Sequence, residues 1–155
     1  MPKRRNQIAM TEEEQATFLR EGHTLQVASI GPRGYPHLVA MWYALVDGKV
    51  HFTTYARSQK VENLRRDPRI SVMLESGESY DQLRGLAIEG DAAIIEGDIE
   101  LAARVAAMSS SRRPGEPPSR PPSEQALRAV AKRVVIRVDP VRITSWDHRK
   151  LGGTY

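Results

Sequence analysis

Cysteine is absent from the 155 residues, which excludes disulfides, thiolate metal ligands and cysteine nucleophiles together. Histidine is scarce as well: His23, His37, His51 and His148 never fall at H-x-x-x-H or H-x-H spacing, so no zinc site is expected. The G-x-S-x-G elbow of serine hydrolases, the P-loop and the dinucleotide fingerprint G-x-G-x-x-G are all missing. No apolar run approaches the roughly 20 residues that cross a bilayer. Behind Lys3, Arg4 and Arg5 the chain turns polar where a secretory segment would turn apolar, so a cytoplasmic protein without a membrane partner is expected.

Charge is present but poorly concentrated. Lysine and arginine number 23 against 19 acids, a net charge of +4. Much of the excess lies in residues 1–7, expected to be a flexible basic N-terminus, and in a proline-rich stretch. No helix-turn-helix, zinc-finger or RNP pattern accompanies it, so nucleic acid is not an expected partner; binding to an anionic surface through the basic ends is the weakest of three readings. The length suits one domain, here residues 8–153, but is small for an enzyme that must enclose a large ligand alone. A site shared between two copies would resolve that.

Thr11-Glu12-Glu13-Glu14 is a capping box opening a helix that runs to about Gly22. Extended segments follow at residues 23–30 and, after the turn Gly31-Pro32-Arg33-Gly34, at 35–46. Asp47-Gly48 is a hairpin signal that returns the chain through residues 49–55. A helix from Ser58 ends at Arg65-Arg66-Asp67-Pro68, and further strands are expected near residues 70–74 and 83–95, with Gly85 and Gly90 as bulges. Asp98 caps a helix whose Leu101, Val105 and Met108 share a core-facing side. Residues 109–122 hold five prolines and form a loop. A short helix from Ser123 leads to a last strand at residues 133–139. Strands joined by tight turns, with helices at the edges, predict a mainly β fold, an antiparallel barrel with peripheral helices.

The chemistry concentrates in residues 53–60, Thr53-Thr54-Tyr55-Ala56-Arg57-Ser58-Gln59-Lys60, read as the end of a strand and the start of a helix with Ser58 at the N-cap. Cations at that end oppose the helix dipole, by roughly 0.3 to 1 kcal/mol each, unless an anion is present. Free backbone N–H groups, two threonine hydroxyls, Arg57 and Lys60 would cradle a phosphate. Solvated, ion-paired cations are the plainer alternative. In residues 36–43, Met41 and Trp42 could wall a planar ring, although a strand buried on both faces would read the same way. His51 is expected to face a cleft or solvent, and His37 to sit beside a turn. Trp146, Asp147, His148, Arg149 and Lys150 form an unusual tail, read either as ligand-facing or as an anchor for the last strand.

The hairpin of residues 36–55, the Thr53-Thr54…Arg57…Lys60 turn, the helix end Asn63-Leu64-Arg65-Arg66-Asp67-Pro68-Arg69 and the tail from Ser145 to Leu151 together resemble the pyridoxamine 5′-phosphate oxidase-like split-barrel superfamily. Within it the chain is most similar to the flavin/deazaflavin oxidoreductase branch B. The resemblance spans about residues 8–153 and weakens through the proline-rich loop. It implies a six-stranded antiparallel split β-barrel of the FMN-binding type and a homodimer with cofactor at the subunit interface. By the same resemblance the cofactor's phosphate lies against Thr53, Thr54, Arg57 and Lys60, with Ser58 and Gln59 also cofactor-binding, and its ring lies over Val39, Ala40, Met41, Trp42 and Tyr43. Tyr80 and the Asp147-His148-Lys150 tail are implied as candidates to close the pocket, from the second subunit. The implied cofactor is the deazaflavin coenzyme F420, whose oligoglutamate tail would suit Arg33, Arg65 or Lys150; FMN is the alternative. The implied activity is an oxidoreductase passing hydride between the deazaflavin and an unsaturated small molecule, with Tyr43, Tyr80 or His148 as candidate proton donors and no catalytic residue assigned. A cofactor-binding or storage protein of low turnover is the second reading. Pyridoxamine phosphate oxidation itself is not implied, since the substrate-phosphate arginine pattern near the C-terminus is missing.

Overall fold

A computed structural model describes residues 3–153 of the chain. Its centre is one antiparallel sheet built from β1 (Thr24–Ile30), β2 (Pro36–Trp42), β3 (Ala44–Val46), β4 (Lys49–Tyr55), β5 (Arg69–Ser76), β6 (Arg84–Ile95) and β7 (Arg133–Asp147). The spatial order is β2-β1-β5-β6-β7-β4-β3. The two edges of that order, β2 and β3, are consecutive in the chain and joined by Tyr43 alone. The sheet is therefore tied edge to edge through one residue and curls into a barrel. Seven strands appear where six were expected because the extended stretch at residues 35–46 bends at Tyr43, pairing with β1 on one side of the bend and with β4 on the other.

The bend is fixed by burial. Tyr43 is 1% exposed, and its hydroxyl donates to the backbone carbonyl of Leu19 at 2.5 Å. Leu19 belongs to α2 (Glu12–Glu21), which the expected capping box opens: Thr11 accepts from the Glu14 amide while Glu14 accepts from the Thr11 amide. Phe18 and Leu19 of this helix close one end of the core, whose centre holds Leu25, Val27, Phe52, Leu86 and Ile136. At the β3–β4 hairpin Asp47 and Gly48 both take positive φ, 52° and 74°, as a two-residue turn between twisted strands requires.

A second apolar cluster lies outside the barrel, where α4 (Ile99–Ser110) and α5 (Glu124–Ala129) cover β3, β4 and β7 through Val105, Met108, Val130, Ala44 and Val135. This layer buries His51, which is 4% exposed and donates through Nδ1 to the Lys49 carbonyl, so the expectation that His51 faces a cleft or solvent is corrected. Gly90 does sit at a bulge, opposite Pro140 with Val141 as the extra residue. Gly85 does not. It pairs in register with Trp146, and a Cβ there would lie 2.0 Å from the indole, so glycine is required for close approach.

Of the expected flexible N-terminus, the first two residues lie outside the described residues and residues Arg4–Ile8 form α1, a short helix in contact with the turn His148–Leu151. The proline-rich loop begins later than expected, since α4 continues through Ser110. It is fastened to the barrel where Pro114 is buried and its carbonyl accepts from the Leu45 amide at 2.6 Å. Ser111 ends α4 and Arg112 follows in the left-handed region at φ 58°, a conformation that costs a residue with a Cβ roughly 1–2 kcal/mol. Among the described residues no helix is long and apolar enough to cross a membrane.

Candidate functional site

Alternation along β4 decides which of its hydroxyls reach the helix that follows. Val50, Phe52 and Thr54 point into the barrel, while His51 and Thr53 point toward α4. Thr53 and Thr54 therefore do not converge, and only Thr54 joins the cluster at α3 (Gln59–Arg66). Thr54 is 4% exposed; its Oγ1 accepts from Lys60 Nζ at 3.0 Å and lies 3.3 Å from Ser58 Oγ. Ser58 occupies the N-cap, yet its hydroxyl is turned to Thr54 and makes no capping bond. The amides of the first turn of α3 are left without a side-chain cap.

The electrostatics of this corner are one-signed. Burial first, and then the guanidinium of Arg133, push the Lys60 ammonium below the ordinary lysine range, and among the described residues no carboxylate opposes them. Arg133 opens β7 opposite Tyr55 and lies over the Tyr55 ring at 4.4 Å. Tyr55, Ala56, Arg57 and Lys132 line an adjoining cleft of about 590 Å³. Among the described residues Arg57 has no ion-pair partner. Lys60, the uncapped first-turn amides of α3 and the buried Thr54 hydroxyl meet at one corner, and Arg133 adds a second positive charge within electrostatic reach from the Tyr55 side of β4, so an anion would neutralise the site. Arg133 and Lys132 were missed by sequence reading because they join the site only through the β4–β7 pairing.

The remaining expected residues distribute unevenly. Gln59 donates to Asn63, which is fully buried and donates to Ser29 on β1; Gln59 thus fastens α3 to the barrel. On β2, Val39 and Met41 face the core while Ala40 and Trp42 face outward. Met41 and Trp42 cannot form one wall. Tyr43 is corrected from a ligand-facing candidate and proton donor to a core tether: burial raises its hydroxyl pKa well above the usual tyrosine value, and Leu19 holds its proton.

Tyr80 and His148 do meet. Their rings are 4.7 Å apart, edge to face, and His148 Nδ1 donates to the Tyr80 carbonyl at 2.8 Å. They lie beyond the far end of β7 from Arg133, with the bulge at Val141 between. Within one chain the Lys150 ammonium contacts Glu14 at 2.6 Å and the Ala9 carbonyl at 2.8 Å, tying the turn to α2. Arg65 is paired with Glu96, and Arg33 lies over Tyr35. Among the described residues no group of three or more metal-ligating side chains gathers.

The family described as pyridoxamine 5′-phosphate oxidase matches residues 11–147. The chain belongs to that family. Its structure is similar to a conserved hypothetical protein of Mycobacterium tuberculosis, Rv2991, at 44% identity over 99% of this chain and 94% of that one, with a TM-score of 0.85. An F420 reductase shares the fold at 23% identity over 82% of this chain and 93% of its own, with a TM-score of 0.61. HutZ, a heme storage protein from Vibrio cholerae, does so at 19% identity over 85% and 92%, with a TM-score of 0.62. At those two identities the likeness is one of fold. No curated protein matches the chain. As a member of this family the protein has the split-barrel scaffold on which flavin-type oxidoreductases are built.

Proposed function

We propose that two copies of the chain bind coenzyme F420 and act as a cytoplasmic oxidoreductase on an unsaturated small molecule. The observation that carries this reading is the unneutralised corner of Thr54, Lys60 and Arg133 at the uncapped start of α3. The donor set suits a phosphate: a hydroxyl, an ammonium, a guanidinium and backbone amides, with no acid to repel it. Thr54, Lys60 and Arg133 would hold the phosphate, with Arg57 and Lys132 screening it from the adjoining cleft. When bound, the deazaflavin supplies the hydride. The chain's own residues orient the ring and exclude water, and Ala40 and Trp42 are the outward side chains of β2 available to it. FMN, which also carries a phosphate, is the alternative occupant.

A second copy is part of the proposal because the family resemblance brings Tyr80 and His148 to the pocket from another chain, and within one chain they lie at the opposite end of β7 from Arg133. The outer surface of β2 offers Leu38 at 66% exposure and Trp42 at 48%, exposed large apolar side chains of the kind a symmetric partner covers. Titration of the purified protein with F420 and with FMN tests the reading: saturable binding of F420 at one per chain is expected, and no binding of either coenzyme overturns it. Low-turnover storage is favoured instead if bound, reduced F420 is not consumed by a panel of enones and quinones. That no acid or histidine among the described residues is bonded to Lys60 is what supports that second reading.

A further inference from the structure

Arg112 stands where the end of α4 calls for glycine. Its amide donates to the Ser109 carbonyl, and its left-handed backbone completes a helix-terminating turn in which glycine or asparagine is the unstrained choice. Ser111 reinforces the turn, donating through its hydroxyl to the Met108 carbonyl and accepting from the Arg113 amide. Two residues on, buried Pro114 is bonded to β3. The position is thus rigid, and an arginine held there against backbone preference points to a role for its side chain.

That side chain lies over the outward face of β2. The Arg112 guanidinium sits 5.3 Å from the centre of the Trp42 ring, and Trp42 is 48% exposed. Among the described residues no carboxylate pairs with Arg112, as is also true of Arg57 and Arg133, so its guanidinium is open to an acidic ligand. An indole beneath a guanidinium fixes its plane and leaves its N–H edge free, the geometry that accepts a carboxylate through two parallel hydrogen bonds.

We propose that Arg112, positioned by Trp42, is a carboxylate-binding residue that takes the acidic end of a conjugated ligand lying on β2. The carboxylate comes either from the glutamyl tail of the coenzyme or from the substrate. This rests on the coenzyme reading only for the naming of those two sources.

Calorimetric titration of the full chain at low salt, with F420, FMN, cinnamate and cinnamamide, tests it. FMN carries a phosphate and no carboxylate, and cinnamamide is the neutral counterpart of cinnamate. Arg112→Gly and Arg112→Asn are expected to melt at the same or a higher temperature than the unaltered protein, because both residues suit the left-handed turn. Both are expected to weaken F420 or cinnamate by about tenfold, the scale of a lost charge-assisted pair, while FMN and cinnamamide are unchanged. Loss with F420 alone identifies the tail; loss with cinnamate alone identifies the substrate. Arg112→Lys is expected to recover part of the loss. The proposal is overturned if neither carboxylated probe changes by more than about twofold, or if FMN and cinnamamide, which lack a carboxylate, weaken equally. Lys60→Met separates the two ideas, since it acts on F420 and FMN alike and leaves cinnamate untouched; its failure would remove the phosphate site without touching Arg112.

Discussion

Replacing Lys60 by methionine removes the ammonium and keeps the length of the side chain, so affinity and stability should part company. In the fold, Lys60 gives up one hydrogen bond to Thr54, but Thr54 keeps Ser58 within reach at 3.3 Å. Against that loss stand the burial of the charge and the repulsion from Arg133, both of which the substitution relieves. The two sides are each on the order of 1 kcal/mol, so unfolding free energy should change by less than about 1 kcal/mol in either direction. A phosphate, however, loses a charge-assisted hydrogen bond worth about 1.5–3 kcal/mol, and the partial exposure of the site favours the lower end. Affinity for F420 and for FMN should therefore fall by at least about tenfold. The sign of the pH effect is fixed as well. Because the ammonium's pKa is depressed, the unaltered protein loses its proton below the ordinary lysine value, and its advantage over Lys60→Met should shrink as pH rises into that region. Coenzyme titration beside urea unfolding, each across pH, measures both quantities. Unchanged affinity, or a stability loss as large as the binding loss, would refute the reasoning.

Three further expectations concern the scaffold. Tyr43→Phe leaves the buried Leu19 carbonyl without its donor and should cost about 1–3 kcal/mol by urea unfolding, with coenzyme affinity unchanged. Gly85→Ala places a Cβ against the Trp146 indole and should cost about 1–3 kcal/mol, with a change in tryptophan fluorescence. His51 has its pKa lowered, by burial first, so the unfolded chain binds its proton more readily than the folded one; stability should fall as pH drops below about 6.5, the ordinary histidine value, and His51→Gln should flatten that slope.

What could be read in the sequence was what short-range chemistry writes there. The Thr11–Glu14 capping box, the Asp47-Gly48 turn and the alternation of residues 133–138 each depend on neighbours a few positions away, and each appears in the fold. Lys60 was legible for the same reason: it contradicts the dipole of its own helix. Thr53 illustrates the limit, since two adjacent hydroxyls on a strand look alike in sequence and face opposite ways in space. Arg133 and Arg112 were not legible as site residues because one depends on a strand pairing some 80 positions distant and the other on where a loop lays its first residue. Tyr43 was misread because a bend at one residue turned an expected wall into a hinge. The pairing of Lys150 was not legible because its partner, Glu14, lies at the far end of the chain.

Crystals of the protein soaked with F420, and separately with FMN, test the central claim most directly. The account predicts a phosphate within hydrogen-bonding distance of Thr54, Lys60 and Arg133, and a ring enclosed between two copies of the chain with Tyr80 and His148 of the second copy nearby. A phosphate bound elsewhere, or a coenzyme held by one chain alone, would contradict it.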